Sequence, residues 1–324
     1  MPRPRLRDEL VTLAHGAGGK ATRTLVEGLF LEELGNPLLE PLGDAAVGSV
    51  NGSRLAFTTD SYVVRPLFFP GGDIGELAVN GTVNDLAMAG ARPLWLAAGF
   101  VVEEGLAVAD LRRIAASMGA AAAAAGVAVV AGDTKVVERG AADGLFVSTA
   151  GVGLVSPAAR LGAEHVQAGD RVLVSGTLGD HGMAVLVARG DLDLEVELES
   201  DTAPLHELVA SLLALGDDLR WLRDPTRGGL ATALNELAAA AGLTVSIEEE
   251  SLPVRPEVAG ACEILGIDPL YVANEGKLIA IVAPDAAGRA LDILRADPLV
   301  LLETALGGTR IVDMLVGDPL PRIC

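Results

Sequence analysis

Between residues 54 and 155 apolar runs alternate with stretches of helical length, and few folds accommodate that order. The runs LAFTTD, LWLAAGFVV, VAVVAGDTKVV and LFVSTAGVGLV are rich in Val, Phe and Leu and end at Gly or Asp, which predicts strands. Residues 73–89 and 108–125 predict helices, the second opening near Asp110 and closing at Gly126. Each strand or helix must bury an apolar face against another, so the chain is expected to build helix-on-sheet layers of α/β or α+β type. Half of the residues are hydrophobic but only 3% are aromatic, and small aliphatic side chains suit such layers.

After a connection over residues 157–169 a second unit begins: the strand RVLVSG, the turn GTLGDHG and the helix MAVLVARG. DPTRGG then leads into the helix LATALNELAAAAG, and KLIAIVA reads as a further strand. At 324 residues the chain exceeds what one core usually organises. The expected division is 1–155, 156–317 and a tail over 318–324. Pro319 and Pro321 exclude helix and central strand from that tail, which could span on the order of 20 Å when extended.

A formal charge of −20 repels phosphate backbones and anionic headgroups, so neither nucleic acid nor an acidic membrane is an expected partner. An anionic substrate such as ATP would need compensation from Mg²⁺, helix N-termini or isolated basic groups. Gly, Pro or charge breaks every apolar run before it reaches membrane-spanning length, and the first residues lack a signal-peptide apolar core. With Cys262 and Cys324 as the cysteines, a reducing cytoplasm is the expected compartment.

Four carboxylates stand at the ends of apolar runs: Asp44, Asp60, Asp85 and Asp133. Singly, each reads as a turn cap. Converging, they would need a hard cation among them, and Mg²⁺ with nucleotide phosphates fits. The helix ELAVNGTVNDLAMAG carries Asn80, Thr82, Asn84 and Asp85 on an otherwise apolar stretch, which favours a site over a plain helix. Three glycine turns could present backbone N–H groups to phosphate: HGAGG with His15, Gly18 and Gly19; GDHG with Asp180, His181 and Gly182; TRGG with Arg227, Gly228 and Gly229. Ala14 and Ala21 break the nearest Walker A pattern, and no GxGxxG precedes a helix, which disfavours P-loop NTPases and nicotinamide dehydrogenases. Lys135 in GDTK and Glu275 in NEGK sit at strand edges, where a buried Glu could serve as a base or form a plain salt bridge. Cys262 reads as a small buried hydrophobe, whereas Cys324 places a thiol at the end of a proline-stiffened tail, able to form a thioester-like bond and move between a donor and an active site.

HGAGG, TTDSYVV, PLFFPGGDIG, NGTVNDLAMAGARP, GDTKVV, GAADG, VSGTLGDHG, DPTRGGLAT, NEGK and the final PRIC follow one another over nearly the whole chain. Together they resemble the HypE family of hydrogenase maturation factors, within the superfamily of aminoimidazole ribonucleotide synthetase, selenophosphate synthetase and thiamine monophosphate kinase. The resemblance implies a two-domain fold whose N-terminal sheet pairs across a homodimer into a barrel, with ATP lying between that domain and a C-terminal α/β domain. It further implies that a carbamoyltransferase, HypF, loads the Cys324 thiol, that ATP drives dehydration of the carboxamide to a thiocyanate, and that the cyanide goes to iron held on HypC and HypD. Carried over, Asp44, Asp60, Asp85 and Asp133 would hold Mg-ATP, the glycine turns and Asn84 would contact the nucleotide, and Lys135 and Glu275 would serve the tail.

The chain departs from the family pattern where Gly43 and Asp44 stand in place of adjacent acidic residues, which bears on one Mg²⁺ ligand. The shortening between Arg295 and Thr304 bears on the completeness of the C-terminal sheet. Two rival readings are a superfamily relative making selenophosphate or phosphorylating a small molecule, and an assembly scaffold that binds ATP without turnover. Selenophosphate synthetases use an N-terminal Cys or selenocysteine, and no Cys precedes Cys262 here.

Overall fold

The computed structural model describes residues 4–190, 196–297 and 304–306; the tail with Cys324 lies outside them. Two short helices, α1 (Lys20–Leu25) and α2 (Leu31–Leu34), flank a π-helical turn and lead to β1 (Ala46–Val50) and β2 (Ser53–Tyr62). A hairpin of β3 (Phe68–Phe69) and β4 (Gly72–Asp73) precedes α3 (Ile74–Met88). Asp73 caps α3, its carboxylate accepting from the Gly75 and Glu76 amides that the helix start leaves unpaired. Then come β5 (Ala91–Glu103), α4 (Val108–Ala124), β6 (Ala128–Val137) and β7 (Leu145–Val155).

These strands form one sheet in the order β1-β2-β7-β5-β6. The β5–β6 pair is parallel because α4 carries the chain back between them; the other pairs are antiparallel. Burial alternates along β7, so Leu145, Val147 and Thr149 face inward onto α3 while Ser148 and Leu154 face outward. The helix lies close on the sheet: a Cβ at Gly151 would come within 2.8 Å of Thr82 and 2.9 Å of Leu86. Most of α3 is buried, amides included.

The second half contributes β8 (Arg171–Val174), α5 (Asp180–Ala188), α6 (His206–Leu212), β9 (Leu219–Arg223), α7 (Gly229–Ala241), α8 (Pro256–Leu265), β10 (Ile279–Val282), α9 (Ala287–Ala296) and β11 (Thr304–Leu306). Its antiparallel sheet runs β11-β8-β10-β9, so an edge strand is present after the shortened segment. All four residues of β10 are buried. Ala280 and Val282 pack with Leu208, Leu212 and Leu294 of α6 and α9, while Ile279 and Ile281 pack with Leu230, Leu234 and Leu237 of α7. Period-2 alternation with apolar residues on both faces is what a strand covered by helices on each side requires.

The expected α/β layers are therefore present, and the two halves share a core: Ile74, Leu77 and Ile114 cluster with Met183, Val258, Cys262 and Val272. Among the described residues no helix is long and apolar enough to cross a membrane.

Candidate active site

Along β2 the inward-facing residues are Ala56, Thr58, Asp60 and Tyr62, directly beside α3. The Thr58 hydroxyl lies 2.7 Å from Asp85 Oδ2, to which it donates, and 2.8 Å from the Asp44 carbonyl just before β1. Asp224 comes from the opposite half, one residue beyond β9, and its carboxylate joins those of Asp44 and Asp85: one oxygen from each lies within 4.8 Å of the others. Three hard oxygen donors at that spacing suit Mg²⁺.

Burial dominates the titration of this trio. It raises the Asp44 carboxyl to about 6 against the opposing pull of Arg223, with Glu236 pushing further up. Asp85 is pushed well above the carboxylate range by burial, then by Asp224, Asp44 and Asp60, with the Thr58 hydrogen bond opposing. Asp224 is raised in the same way, by burial first and then by Asp44. An unfolded Asp44 loses its proton near 3.8 and the folded one near 6, so the folded state holds the extra proton between those values. Stability from this group therefore falls as pH rises through that window. In EDTA, the melting temperature of Asp44→Asn relative to the native protein is expected to climb by several degrees between pH 4 and 7, measured by differential scanning fluorimetry; a constant difference would contradict it.

Glu275 is buried with Oε2 lacking any hydrogen-bond partner, and burial, then Asp224 and Asp60, raise its carboxyl well above the usual range against the pull of Arg227. Its neighbour fixes the loop. Asn274 Oδ1 accepts from the Gly179 amide at 2.7 Å, while Nδ2 donates to the Pro225 and Val272 carbonyls, each at 2.9 Å. NEGK is thereby stitched to the GDHG turn and to Pro225 of the DPTRGG segment. Gly276, at φ 62°, leaves no room for a Cβ against the Asp201 and Ala203 backbone. Lys277 is buried in an ion pair with Asp201; burial pulls it down to about 8, with Asp180 opposing.

The glycine turns divide in two. HGAGG packs on TRGG: a Cβ at Gly18 would sit 2.9 Å from the Arg227 carbonyl, and Arg227 Nη2 lies 3.8 Å from Asp60 Oδ1. Gly19 starts α1, and His15 is buried with Nδ1 3.0 Å from the Thr12 amide and hydroxyl. Gly228 and Gly229, at φ 77° and 62°, start α7. GDHG instead faces the interior. Asp180 binds Thr177 and pairs with Arg255 at 3.4 Å; His181 Nδ1 lies 2.7 Å from Ser200 Oγ; the Gly182 amide donates to the Ala273 carbonyl at 3.1 Å. Asn84 is likewise engaged by the chain, donating to Ala203 and accepting from the Leu205 amide.

Asp133 and Lys135 stand elsewhere. They lie on edge strand β6, exposed and paired with each other at 2.7 Å. The register runs Asp60–Thr149–Ala98–Gly132 across the sheet, so Asp133 is three strands away, about 14 Å, and on the opposite face from Asp60. This chain's own fold does not bring them to the acidic trio.

The signature of AIR synthase related proteins matches with its N-terminal domain over residues 42–155 and its C-terminal domain over residues 167–302. The carbamoyl dehydratase HypE of Bradyrhizobium diazoefficiens is 55% identical, over 98% of this chain and 97% of its own. The chain belongs to the HypE family. Crystal structures of HypE give the same fold: one in a HypE–HypF complex has a TM-score of 0.85 at 45% identity, covering 90% of this chain and 99% of that one. Another, in complex with ATP, has 0.80 at 44% identity, covering 97% and 100%. Within this HypE fold, Asp224 opens the DPTRGG motif and Arg223 precedes it, yet neither is among the candidate residues read from the sequence. The signal is legible, since Asp224 directly follows the run LRWLR and opens a Pro and Gly turn.

Proposed function

We propose that this chain is an ATP-dependent dehydratase of [NiFe]-hydrogenase maturation, acting on a carboxamide carried by the Cys324 thiol. The observation that carries the reading is the acidic trio beside a buried carboxyl, Glu275, whose Oε2 has no partner. The HypE structures with ATP and with HypF support ATP as co-substrate and a carbamoyltransferase as the loading partner.

The carboxamide oxygen attacks the γ-phosphorus of ATP and ADP leaves; the nitrogen loses one proton to give an O-phosphorylated imidate, and loss of its second N–H proton to a base breaks the C–O bond, releasing phosphate and leaving S–C≡N. Asp44, Asp85 and Asp224, with Asp60 nearby, would hold Mg²⁺, which when bound neutralises phosphate charge. Arg227 and the HGAGG and TRGG turns would meet the phosphates. Glu275, with its affinity for a proton raised, is the base we assign. The cyanide would pass to iron on HypC and HypD. The domain division at 155/156, with a tail from 318, accords with this reading.

A homodimer completes the picture. The sheet face turned away from α3 exposes Phe57 and Trp95, and β6 exposes Val130 and Val136, each more than half accessible. An apolar face and an edge strand of this kind favour pairing with a second copy. Pairing into a barrel would offer Asp133 and Lys135 a partner's site. Trp95→Glu is expected to sediment as a monomer where the native chain sediments as a dimer; an unchanged dimer would remove this face from the interface.

The activity is tested by mass spectrometry of the C-terminal peptide after incubation with HypF, a carbamoyl donor and ATP. The peptide should gain one carbamoyl group and then lose one water, and Cys324→Ala should show neither change. A carbamoyl group found on Cys262 instead would overturn the assignment.

A further inference from the structure

The acidic trio is assembled from both halves of the chain, with Asp44 and Asp85 from the first and Asp224 from the second. Arg223 sits at that seam. Its Nε lies 3.0 Å from Asp44 Oδ1, and its Nη2 donates to Glu236 Oε2 of α7 at 2.7 Å. The Arg223 side chain is 21% exposed and that of Asp44 12%, so little water screens the contact. Strand β10 fixes the backbone beneath it, pairing Ile279 with Arg223. A guanidinium is a planar fork whose nitrogens have set directions. With one nitrogen committed to Glu236, the rest of the fork cannot turn away from Asp44.

Taking these carboxylates as a divalent-cation site, as in the reading above, we propose that Arg223, anchored by Glu236, is a positioning residue that substitutes for part of the cation's charge while the site is empty. It holds Asp44 beside Asp85 and Asp224 and keeps the two halves of the site together until the cation arrives. Arg223 engages Asp44 through Oδ1, and a carboxylate has a second oxygen to offer an ion. The cation then takes over most of the stabilisation that the arginine supplies. Loss of Arg223 should therefore matter most when no cation is bound, unlike loss of ordinary packing.

The test is thermal unfolding of the full-length protein in EDTA and in excess MgCl₂. Arg223→Met is expected to lower the melting temperature in EDTA by about 5 °C or more, and by less than half as much in MgCl₂. Asp44→Asn should raise the EDTA melting temperature more in the Arg223→Met chain than it does in the native one, because the carboxylate that Arg223 compensates is then gone. Glu236→Gln, a milder change should Arg223→Met fail to fold, should give a smaller loss in EDTA that MgCl₂ also cancels. Equal losses in EDTA and MgCl₂, or an equal effect of Asp44→Asn in both chains, overturn the proposal. A native MgCl₂ response that survives Asp224→Asn overturns the cation site itself, and the proposal with it.

Discussion

Asp224→Asn is expected to lower ATP turnover by at least about 100-fold while raising the melting temperature of the cation-free protein. The two effects share a cause. Asp224 is buried beside Asp44 and Asp85, and burial with like charge is what pushes its proton affinity up. An amide of the same shape removes repulsion from the folded state and, with it, a charge that a divalent cation would need. Asp85→Asn should behave alike, since Asp85 is raised by burial and by the same neighbours. A phosphate-release assay paired with a melting curve checks both halves. Near-native turnover in either variant would exclude that residue from the site; lower stability with lost turnover would point to simple misfolding.

Glu275→Gln should leave ATP binding intact yet slow thiocyanate formation by about 100-fold or more, the usual contribution of a positioned base. Glu275 is buried, with Asn274 pinning the loop that carries it, so the substituted amide would occupy the same place. Its carboxyl titrates well above the ordinary range, chiefly through burial, and the native rate should rise with pH as that proton is lost. The residual rate of Glu275→Gln should lack that rise. Single-turnover conversion of the carbamoylated C-terminal peptide, followed across pH, separates this from a binding defect. Loss of ATP binding in the variant would show that Glu275 belongs to the nucleotide site instead.

Glu275 and Lys135 look alike in sequence, each beside Gly or Asp at the edge of an apolar strand. The fold separates them. Glu275 follows Asn274, whose side chain ties its loop to the GDHG turn and to Pro225, and it is buried. Lys135 stands on the open edge strand, paired to Asp133. Local sequence reports that a residue ends a strand; it does not report whether that strand is central or at an edge. The same gap explains Asp133, which lies three strands from Asp60 on the far face.

Elements were legible where one period dominated. Residues 145–155 read as a strand and are β7 (Leu145–Val155), and the helix expected over 73–89 is α3 (Ile74–Met88). Alternation and helical spacing are local properties, fixed by how side chains leave the backbone. The apolar character of α3 likewise announced burial around Asn84 and Asp85. Those two polar residues do different things: Asn84 ties the helix to the Ala203 and Leu205 backbone, while Asp85 meets Thr58.

The layered α/β class, the order of the main strands and helices, and the residue types suited to Mg²⁺ and phosphate depend on spacing and chemistry along the chain, so they are legible there. Which acids meet depends on packing through space. Asp44, Asp85 and Asp224 lie far apart in sequence, and their approach is set by α3 packing on β2 and by β9 delivering Asp224 with Arg223 from the second half. A charge cluster is a property of distances through space, where interaction falls with separation and grows with burial, and neither quantity is written in the local sequence.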